Sequence, residues 1–363
     1  MSRHAARTRR TRRIWTIGNG LVLAVASVWV LTIAFDSAPA AHPVSSADLL
    51  VRDLAPSEPA PAPAVSPPPG KADYLRPARP RFGVSYPEAP FGPASLATIG
   101  ANAGAAPTLI EYFVKWTEEF RPAPALACYR AGALPVVAWE PWAGEQDGGS
   151  QPKYALRRII GGDYDPYITR VALGMRDTGS PIVLRFAHEM NGKWYPWSEA
   201  RSGNAAGEYV RAWRHVHDIF TAVGAVNVIW VWSPNIIRPA PSVQLGPLYP
   251  GDGYVDWVGL VGYAVKEHTP AEVFGPTLKI LRRFTAKPLL ITETGAQPGP
   301  YQASWTRDLF RWIAAQKDAV GFIWFEFDRA GATADWRFSR SPATLAAFRA
   351  GVAATALAPP VRR

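Results

Sequence analysis

The sequence predicts an α/β fold, a (β/α)₈ TIM barrel, over residues 81–355, and two observations lead to this prediction. The first is a series of short apolar runs rich in β-branched residues, with the length and composition of strands buried on both faces. The second is the helical periodicity between several of these runs, as expected for repeated strand–helix units. The size of the region is also close to the ~250 residues typical of a single barrel of this type.

Eight apolar runs are the predicted strands. They are Arg81–Ser85, Thr108–Val114, Leu134–Trp139, Ile182–Phe186, Val226–Trp232, Val255–Val261, Pro288–Thr292 and Val320–Phe325. Apart from the strand–helix alternation, no sequence repeat of about 20–50 residues is visible, which argues against a solenoid.

The helical patterns lie between these strands. Tyr209, Trp213, Val216 and Phe220 recur at three- and four-residue spacing, which predicts a helix with one apolar face. Another helix is predicted to begin at Thr269-Pro270-Ala271-Glu272, where the spacing of threonine and glutamate is that of a capping box and proline occupies the first helical position.

The first 36 residues have the features of a membrane-targeting segment. Six arginines precede an uncharged, apolar run from Ile14 to Phe35, which is close to the ~20 residues needed to span a bilayer as a helix. We expect a transmembrane anchor with the arginines in the cytoplasm, and the alternative is a signal peptide cleaved near Ala38-Pro39-Ala40. Either alternative places the barrel outside the cytoplasm, anchored to the membrane in the first case and secreted in the second.

Residues 37–80 are predicted to be a disordered linker, because the segment Ala55–Pro69 is rich in proline, alanine and serine and cannot bury enough apolar area to fold. The six N-terminal arginines also account for much of the formal net charge of +10. The rest of the chain has no basic cluster suited to phosphate contacts, so nucleic-acid binding is not expected. Cys128 is the only cysteine and is predicted to be a buried thiol.

Polar and aromatic residues follow most of the predicted strands. Because all strands of a barrel are parallel, their carboxyl ends meet at one rim, where barrel enzymes have their active sites. The third strand is followed by Glu140 and Trp142, and the fourth by His188, Glu189 and the aromatic-rich segment to Trp197. A carboxyl group desolvated by such surroundings keeps its proton near neutral pH, and aromatic rings stack on sugars.

Two glutamates at this rim are candidates for catalysis. Glu189 follows the fourth strand and Glu293 follows the core of the seventh, so both are expected to point into the barrel mouth. Retaining glycosidases use two carboxyl groups about 5–5.5 Å apart, one as acid/base and one as nucleophile. The sequence alone does not give this separation, and a structural role for either glutamate is the alternative.

Several motifs resemble glycoside hydrolase family 26, a retaining family of the large (β/α)₈ glycosidase clan best known for β-mannanases. They are His188-Glu189-Met190-Asn191-Gly192 with Trp194, Ile291-Thr292-Glu293, and Asp335-Trp336-Arg337. The resemblance covers residues 81–350 and leaves the N-terminal segments unexplained. It implies that Glu189 is the acid/base and Glu293 the nucleophile.

The resemblance also implies roles for residues that bind the substrate. His188 matches a residue that contacts bound sugar, and Trp194 matches an aromatic on the leaving-group side. Tyr263 matches a tyrosine that hydrogen-bonds the nucleophile, and Trp324 matches the hydrophobic platform under the sugar at the cleavage site. We add Asn191, Trp142 and Glu140 to the expected substrate-binding residues because they belong to the same strand ends.

The motif departs from the mannan-cleaving pattern at Val261, because those members typically have an aspartate two residues before the tyrosine. The sequence therefore predicts endo-acting, retaining hydrolysis of a β-linked polysaccharide, with β-1,4-mannan as the default substrate. A mixed-linkage β-glucanase and a non-catalytic polysaccharide-binding barrel of the cell envelope are the alternatives. We expect a monomer without a catalytic metal or other cofactor, since His215 and His217 point to different faces of their helix.

Overall fold

The computed structural model of the protein describes residues 69–144, 149–330 and 332–362. Eight parallel strands form a closed barrel in which each strand pairs with its neighbours in sequence and β1 pairs with β8. The strands are β1 (Arg81–Ser85), β2 (Leu109–Lys115), β3 (Leu134–Glu140), β4 (Ile182–Phe186), β5 (Val228–Trp232), β6 (Trp257–Ala264), β7 (Leu289–Ala296) and β8 (Ala319–Phe325). The predicted TIM barrel is therefore confirmed.

Helices connect the strands around the outside of the barrel. They are α1 (Ala72–Leu75), α2 (Pro93–Ala103), α3 (Pro122–Arg130), α4 (Leu156–Ile160), α5 (Asp165–Asp177), α6 (Glu208–Ala222), α7 (Pro270–Leu281), α8 (Gln302–Ala315) and α9 (Pro342–Ala354). Short 3₁₀ turns occur at Pro152–Tyr154, Gly246–Leu248, Asp252–Tyr254 and Phe338–Arg340.

The sequence patterns explain the main helices. The predicted apolar face of α6 is buried, and α7 has the predicted capping box between Thr269 and Glu272. Predicted and observed strands differ by a few residues at their ends. For example, β5 begins at Val228 because Val226 lies in the preceding turn, where its amide donates to Gly224 and its side chain is exposed.

Alternate residues of the strands fill the barrel interior, where small and medium apolar side chains such as Leu109, Val136, Val183, Ile229 and Ile323 form one cluster. The residues between them face outward and pack against the helices in a second, larger cluster, which includes Cys128 as predicted. This alternation leaves the polar residues of the upper strand positions to line the mouth.

Helix α1 closes the opposite end of the barrel. Tyr74 belongs to the interior cluster, and the carbonyl oxygen of Leu75 accepts a hydrogen bond of 3.0 Å from the indole of Trp257, the first residue of β6. These residues fall within the range predicted to be linker. Tyr74 is buried while Ala72 and Asp73 are exposed, so this short helix is held against the barrel mainly by one side chain.

Across the described ranges of the chain, no helix has both the length and the apolar character needed to cross a bilayer. The predicted membrane segment over residues 14–35 lies outside the described residues, as does most of the predicted linker.

Candidate active site

The two predicted catalytic glutamates meet in the barrel mouth. One carboxylate oxygen of Glu189, one of Glu293 and one ring nitrogen of His188 all lie within 4.8 Å of one another. Both glutamates are buried. Such close carboxyl groups agree with the short separation of retaining glycosidases, whereas inverting enzymes hold theirs about 6.5–9.5 Å apart.

An irregularity in β7 helps to aim Glu293. Leu260 pairs with Ile291, but the next residue, Val261, pairs with Glu293, so that Thr292 is an extra residue in β7. Bulges of this kind redirect side chains near active sites. The shift aligns Glu293 with Val261, two residues before Tyr263, whose hydroxyl reaches the carboxylate.

The side chains that donate hydrogen bonds to Glu189 are neutral. Its Oε2 atom accepts hydrogen bonds from the indole of Trp194 at 2.7 Å and from the amide of Asn235 at 3.0 Å. Burial raises the pKa of Glu189 to about 7 and the charge of Glu293 adds to this, while Arg185 and the two hydrogen bonds act in the opposite direction. Glu189 is therefore able to hold a proton near neutral pH, as a general acid must.

The backbone after β4 is twisted to present this carboxyl group. Ala187 and Glu189 have φ values of 44° and 52°, which are uncommon for residues with a side chain. Gly192 allows Trp194 to fold back, because a Cβ atom at this glycine would lie 2.4 Å from the indole ring. The glycine that ends the motif is thus required for the hydrogen bond from Trp194 to Glu189.

Asn191 positions Asn235 rather than occupying the centre of the mouth. Its side-chain nitrogen donates to the Asn235 carbonyl at 2.9 Å, and its side-chain oxygen accepts from the Asn235 amide at 2.9 Å. This reciprocal pair joins the loop after β4 to the end of β5. Asn191 therefore supports the residue that binds Glu189, and its contact with substrate stays a prediction.

A cationic and a phenolic donor surround Glu293. Arg185 donates to Oε1 at 2.5 Å, and the hydroxyl of Tyr263 donates to Oε2 at 2.7 Å, as predicted for this tyrosine. Both donors stabilise the ionised form of the carboxylate. Arg185 is completely buried, and its Nε atom also donates to the hydroxyl of Ser233 at 3.2 Å.

Glu111 on β2 shares this arginine. The same Nη1 atom of Arg185 donates to Glu111 at 3.0 Å, and Glu111 is completely buried. Burial raises the pKa of Glu111 to about 8; Arg185 acts against this shift and the charge of Glu293 adds to it. The raised pKa favours the protonated form of Glu111, which leaves more of the Arg185 charge to Glu293.

His188, Glu140 and Trp142 form a second group beside Glu189. The indole of Trp142 donates to Glu140 at 3.1 Å, and Glu140 lies 3.9 Å from the Nε2 atom of His188. Burial, assisted by the charge of Arg185, lowers the pKa of His188 well below its usual value. Burial also raises the pKa of Glu140 to about 7, against the hydrogen bond from Trp142. A neutral histidine and a readily protonated carboxyl suit contacts with sugar hydroxyl groups.

The structure does not place Trp324 where the family resemblance implied. Trp324 is completely buried on the helix-facing side of β8, where its ring packs against Trp305 and Phe348. Side chains alternate along the strand, so the next residue, Phe325, faces the mouth instead. The prediction of Trp324 as the sugar platform is therefore wrong on geometric grounds.

Trp336 takes the position at the mouth. Its ring lies 4.6 Å from that of Tyr263, the donor to Glu293. The Trp324 indole donates to the Trp336 carbonyl at 2.9 Å, so Trp324 acts by holding this loop. The aromatic ring beside Tyr263 thus belongs to the Asp335-Trp336-Arg337 motif.

His188, Glu189 and Glu293 are also the described residues with the spacing of a possible metal site. Their surroundings suit this chemistry poorly. Arg185 already places a buried positive charge on Glu293, which opposes a second cation, and the carboxylates accept hydrogen bonds from Tyr263, Trp194 and Asn235.

Three residues of this site were not predicted, namely Arg185, Glu111 and Asn235. A signal was present for two of them, because Arg185 and Glu111 are charged residues inside otherwise apolar strands, where a charge is costly unless it is paired. Asn235 follows β5 in the same manner as the other rim residues, but asparagine at a strand end is common without a catalytic role.

The chain matches the family model described as glycosyl hydrolase family 26 over residues 150–321. Endoglucanase H of Acetivibrio thermocellus is 33% identical over 261 residues, which cover 68% of this chain and 27% of that protein. Mannan endo-1,4-beta-mannosidase A and B of Caldalkalibacillus mannanilyticus is 31% identical over 116 residues, or 30% of this chain and 22% of that protein. The chain thus spans about a quarter of the length of these curated relatives.

The fold agrees with these matches. The structure of a GH26 beta-mannanase from Bacteroides ovatus superposes with a TM-score of 0.60 at 18% identity, covering 80% of this chain and 93% of that one. The motifs at β4 and β7, the paired glutamates at their ends and the matching family model agree with one another. The chain belongs to glycosyl hydrolase family 26.

Proposed function

We propose that the protein is an endo-acting, retaining hydrolase of a β-linked polysaccharide, with Glu189 as acid/base and Glu293 as nucleophile. The observation that supports this most directly is that two neighbouring buried carboxyl groups have different electrostatic surroundings. Burial and the charge of Glu293 favour the protonated form of Glu189, whereas Glu293 accepts hydrogen bonds from the cationic Arg185 and from the Tyr263 hydroxyl. A double displacement needs this pairing of acid and nucleophile.

In the first step, the Glu189 proton passes to the glycosidic oxygen while the bond from this oxygen to the anomeric carbon breaks. A Glu293 carboxylate oxygen forms a bond to the anomeric carbon from the opposite face, and the leaving sugar departs as an alcohol. The product is a glycosyl ester on Glu293 and a Glu189 carboxylate.

In the second step, the ionised Glu189 accepts a proton from water as the water oxygen attacks the anomeric carbon. The ester bond breaks and Glu293 leaves as a carboxylate. Glu189 is suited to both roles because esterification removes the charge of Glu293, which is one cause of the raised pKa of Glu189. Two inversions give a product with retained configuration.

We propose β-glucan ahead of β-1,4-mannan as the substrate. Val261 is completely buried, so no carboxylate reaches the sugar from the position at which mannan-cleaving members have aspartate. Glu140 stands beside His188 and supplies a carboxyl group on another side of the mouth. The relative that aligns with 68% of the chain is an endoglucanase, while the relatives named as mannan hydrolases, aligned over about a third of the chain or less, support β-1,4-mannan as the second candidate.

The test is a panel assay of the full chain with mixed-linkage β-glucan, β-1,4-mannan, cellulose and β-1,3-xylan. We expect reducing ends to appear on the β-glucan, with a rapid fall in viscosity as the mark of internal cleavage. Proton NMR within the first minutes should detect the β-anomer of the product. No reducing ends on any polymer would contradict hydrolysis and favour a non-catalytic binding barrel, and an initial α-anomer would contradict retention.

We further propose that the barrel acts outside the cytoplasm, because arginine-rich residues precede an apolar run at the N-terminus. We also propose that it is a monomer. Fractionation of cells should find the protein in the membrane fraction if the segment is retained, and in the medium or periplasm if it is cleaved. Recovery in the cytoplasm would contradict the proposal. Sedimentation of the purified protein should give the mass of a single chain, and a larger mass would contradict the monomer.

A further inference from the structure

A groove opens at the rim beside the catalytic mouth, between the loop that follows β1 and the loop that follows β2. The groove has a volume of about 630 Å³, and its lining includes Phe91 from the first loop, Phe113 at the end of β2, and Thr117, Glu118 and Phe120 from the second loop. We call this the β1–β2 groove. Its volume lies within the roughly 300–1,000 Å³ typical of small-molecule sites.

Phe113 lies between the groove and the catalytic mouth. This residue is partly exposed, and its ring centroid lies 6.1 Å from that of His188, which adjoins Glu189. A ligand that extends across Phe113 therefore leads from the catalytic glutamates into the groove. A short oligosaccharide bound at the glutamates does not reach the groove, whereas a polymer extends beyond the catalytic mouth.

The groove displays one large aromatic ring, Phe91, that core packing does not explain. Phe91 is 57% exposed, which is unusual for a large apolar side chain. Its loop is nevertheless held in place, since the Phe91 amide donates to the Glu88 carbonyl at 2.7 Å and the Ala89 amide donates to the Tyr86 carbonyl at 3.0 Å. The ring is thus presented to solvent by an ordered backbone.

The polar residues of the groove indicate the charge of its ligand. Glu118, Glu119 and Arg121 lie in its lining, and Glu119 is paired with Arg170 at 2.9 Å. This mixture gives no cationic surface for an acidic polymer. Exposed aromatic faces beside hydroxyl and carboxyl groups suit an uncharged sugar chain, which offers C–H faces to the rings and hydroxyl groups to the polar residues.

We propose that the β1–β2 groove is a distal subsite that binds further sugar units of the polysaccharide cleaved at Glu189 and Glu293, with Phe91 as its stacking platform. The inference rests on the proposed function and adds a length requirement to it. Substrates that reach Phe91 gain binding, and short ones do not.

The experiment compares Phe91→Ala with the wild-type full chain on mixed-linkage β-glucan and on β-1,4-mannan, and on the trisaccharide and hexasaccharide of each. Loss of one aromatic contact should lower kcat/KM on the polymer and the hexasaccharide about three- to tenfold and leave the trisaccharide unchanged. Phe91→Trp should restore the activity. Val226→Ala, which trims an apolar side chain that is 80% exposed at the other end of the barrel, is the control and should change nothing.

Calorimetric titration of the hexasaccharide into the same variants separates this inference from the proposed function. If the wild-type protein cleaves the polymers and Phe91→Ala cleaves them equally well, the subsite is overturned and hydrolysis stands. If the wild-type protein cleaves nothing but binds the hexasaccharide more tightly than Phe91→Ala does, hydrolysis is overturned and the subsite stands. Equal losses on the trisaccharide and the polymer would also overturn a distal subsite.

Discussion

The ends of β4 and β7 present the same side chain, a buried glutamate, in two different surroundings. At β4, Glu189 receives hydrogen bonds from an indole and a carboxamide, both neutral. At β7, Glu293 receives them from a buried guanidinium and a phenol. Because the two side chains are nearly equally buried, the different roles proposed for them depend on the groups that donate to each carboxyl group.

The hydrogen-bond donors of Glu189 and Glu293 come from different elements of the barrel. The guanidinium comes from Arg185, which lies on β4 itself, four residues before Glu189, but reaches across the barrel to Glu293 on β7. The neutral donors of Glu189 come from the loop after β4 and from the end of β5. Each catalytic group is therefore held largely by other elements, so that a change in one loop should affect one glutamate and not the other.

Removal of the nucleophile should have the largest effect. Glu293→Ala deletes the group that bonds to the anomeric carbon, and we expect a loss of kcat on the order of 10⁵-fold on polysaccharides and on activated aryl glycosides alike. Glu326→Gln is a matched control, because Glu326 is a buried glutamate whose partners are Phe338 and Ser339 instead of the catalytic pair. Thermal unfolding should show that both variants fold. Turnover near the wild-type rate in Glu293→Ala would contradict its role.

Removal of the acid should have a smaller effect that depends on the substrate. Glu189→Ala should lose about 10²–10⁴-fold on polysaccharide, where the leaving group needs a proton. On an aryl glycoside with a good leaving group the first step needs little help, so that the glycosyl-enzyme should accumulate and give a burst of the aryl alcohol. Equal losses on both substrates, without a burst, would mean that Glu189 and Glu293 do not have different roles.

Much of this architecture was predictable from local patterns. The eight strands have apolar runs of the right length, and the glutamates follow their strands directly, so the position at the rim follows from parallel topology alone. Trp324 was misplaced because the strand alternation has to be counted from a known inward residue, and the sequence gives no such reference. Phe325 and Trp336 take the mouth positions as a result.

The long-range partners were less accessible to prediction. Arg185 pairs with Glu111 and Glu293, which are 74 and 108 residues away in sequence. A charged residue inside an apolar strand indicates that a buried partner exists, but nothing local tells which strand supplies it. The extra residue at Thr292, which sets the register of Glu293 against Tyr263, is likewise a product of closing the barrel.

The next largest effect is expected at Arg185, which Glu111 and Glu293 share. If Glu111 is a protonated acceptor that leaves the charge of Arg185 to Glu293, a neutral isostere should replace it. Glu111→Gln should therefore be at least as stable as the wild type at pH 7 and keep nearly all of the activity, whereas Glu111→Ala removes an acceptor from a buried guanidinium and should lower the free energy of unfolding by about 1–3 kcal/mol.

Denaturant unfolding at pH 7 and pH 9 measures this effect. Burial raises the pKa of Glu111 from 4.5 to about 8 in the fold, so its contribution to stability is full below about pH 4.5, falls as the pH rises from there, and is lost once the pH has passed about 8. The glutamine variant should accordingly lose less stability than the wild type between pH 7 and pH 9. A large loss of activity in Glu111→Gln at pH 7 would mean that Glu111 is ionised in the working enzyme.

The smallest expected effect is a shift of the pH profile through the neutral donor at β4. The hydrogen bond from Trp194 lowers the pKa of Glu189, which stays near 7 because burial outweighs it. Hydrolysis needs the protonated acid, so kcat/KM should fall as the pH rises above about 7. In Trp194→Phe the acid holds its proton to higher pH, and this limb of the profile should move to higher pH with only a few-fold change in the maximum. Trp142→Phe removes an indole donor from Glu140 instead and should leave the limb in place. A shift to lower pH in Trp194→Phe would show that this indole does not stabilise the ionised form of Glu189.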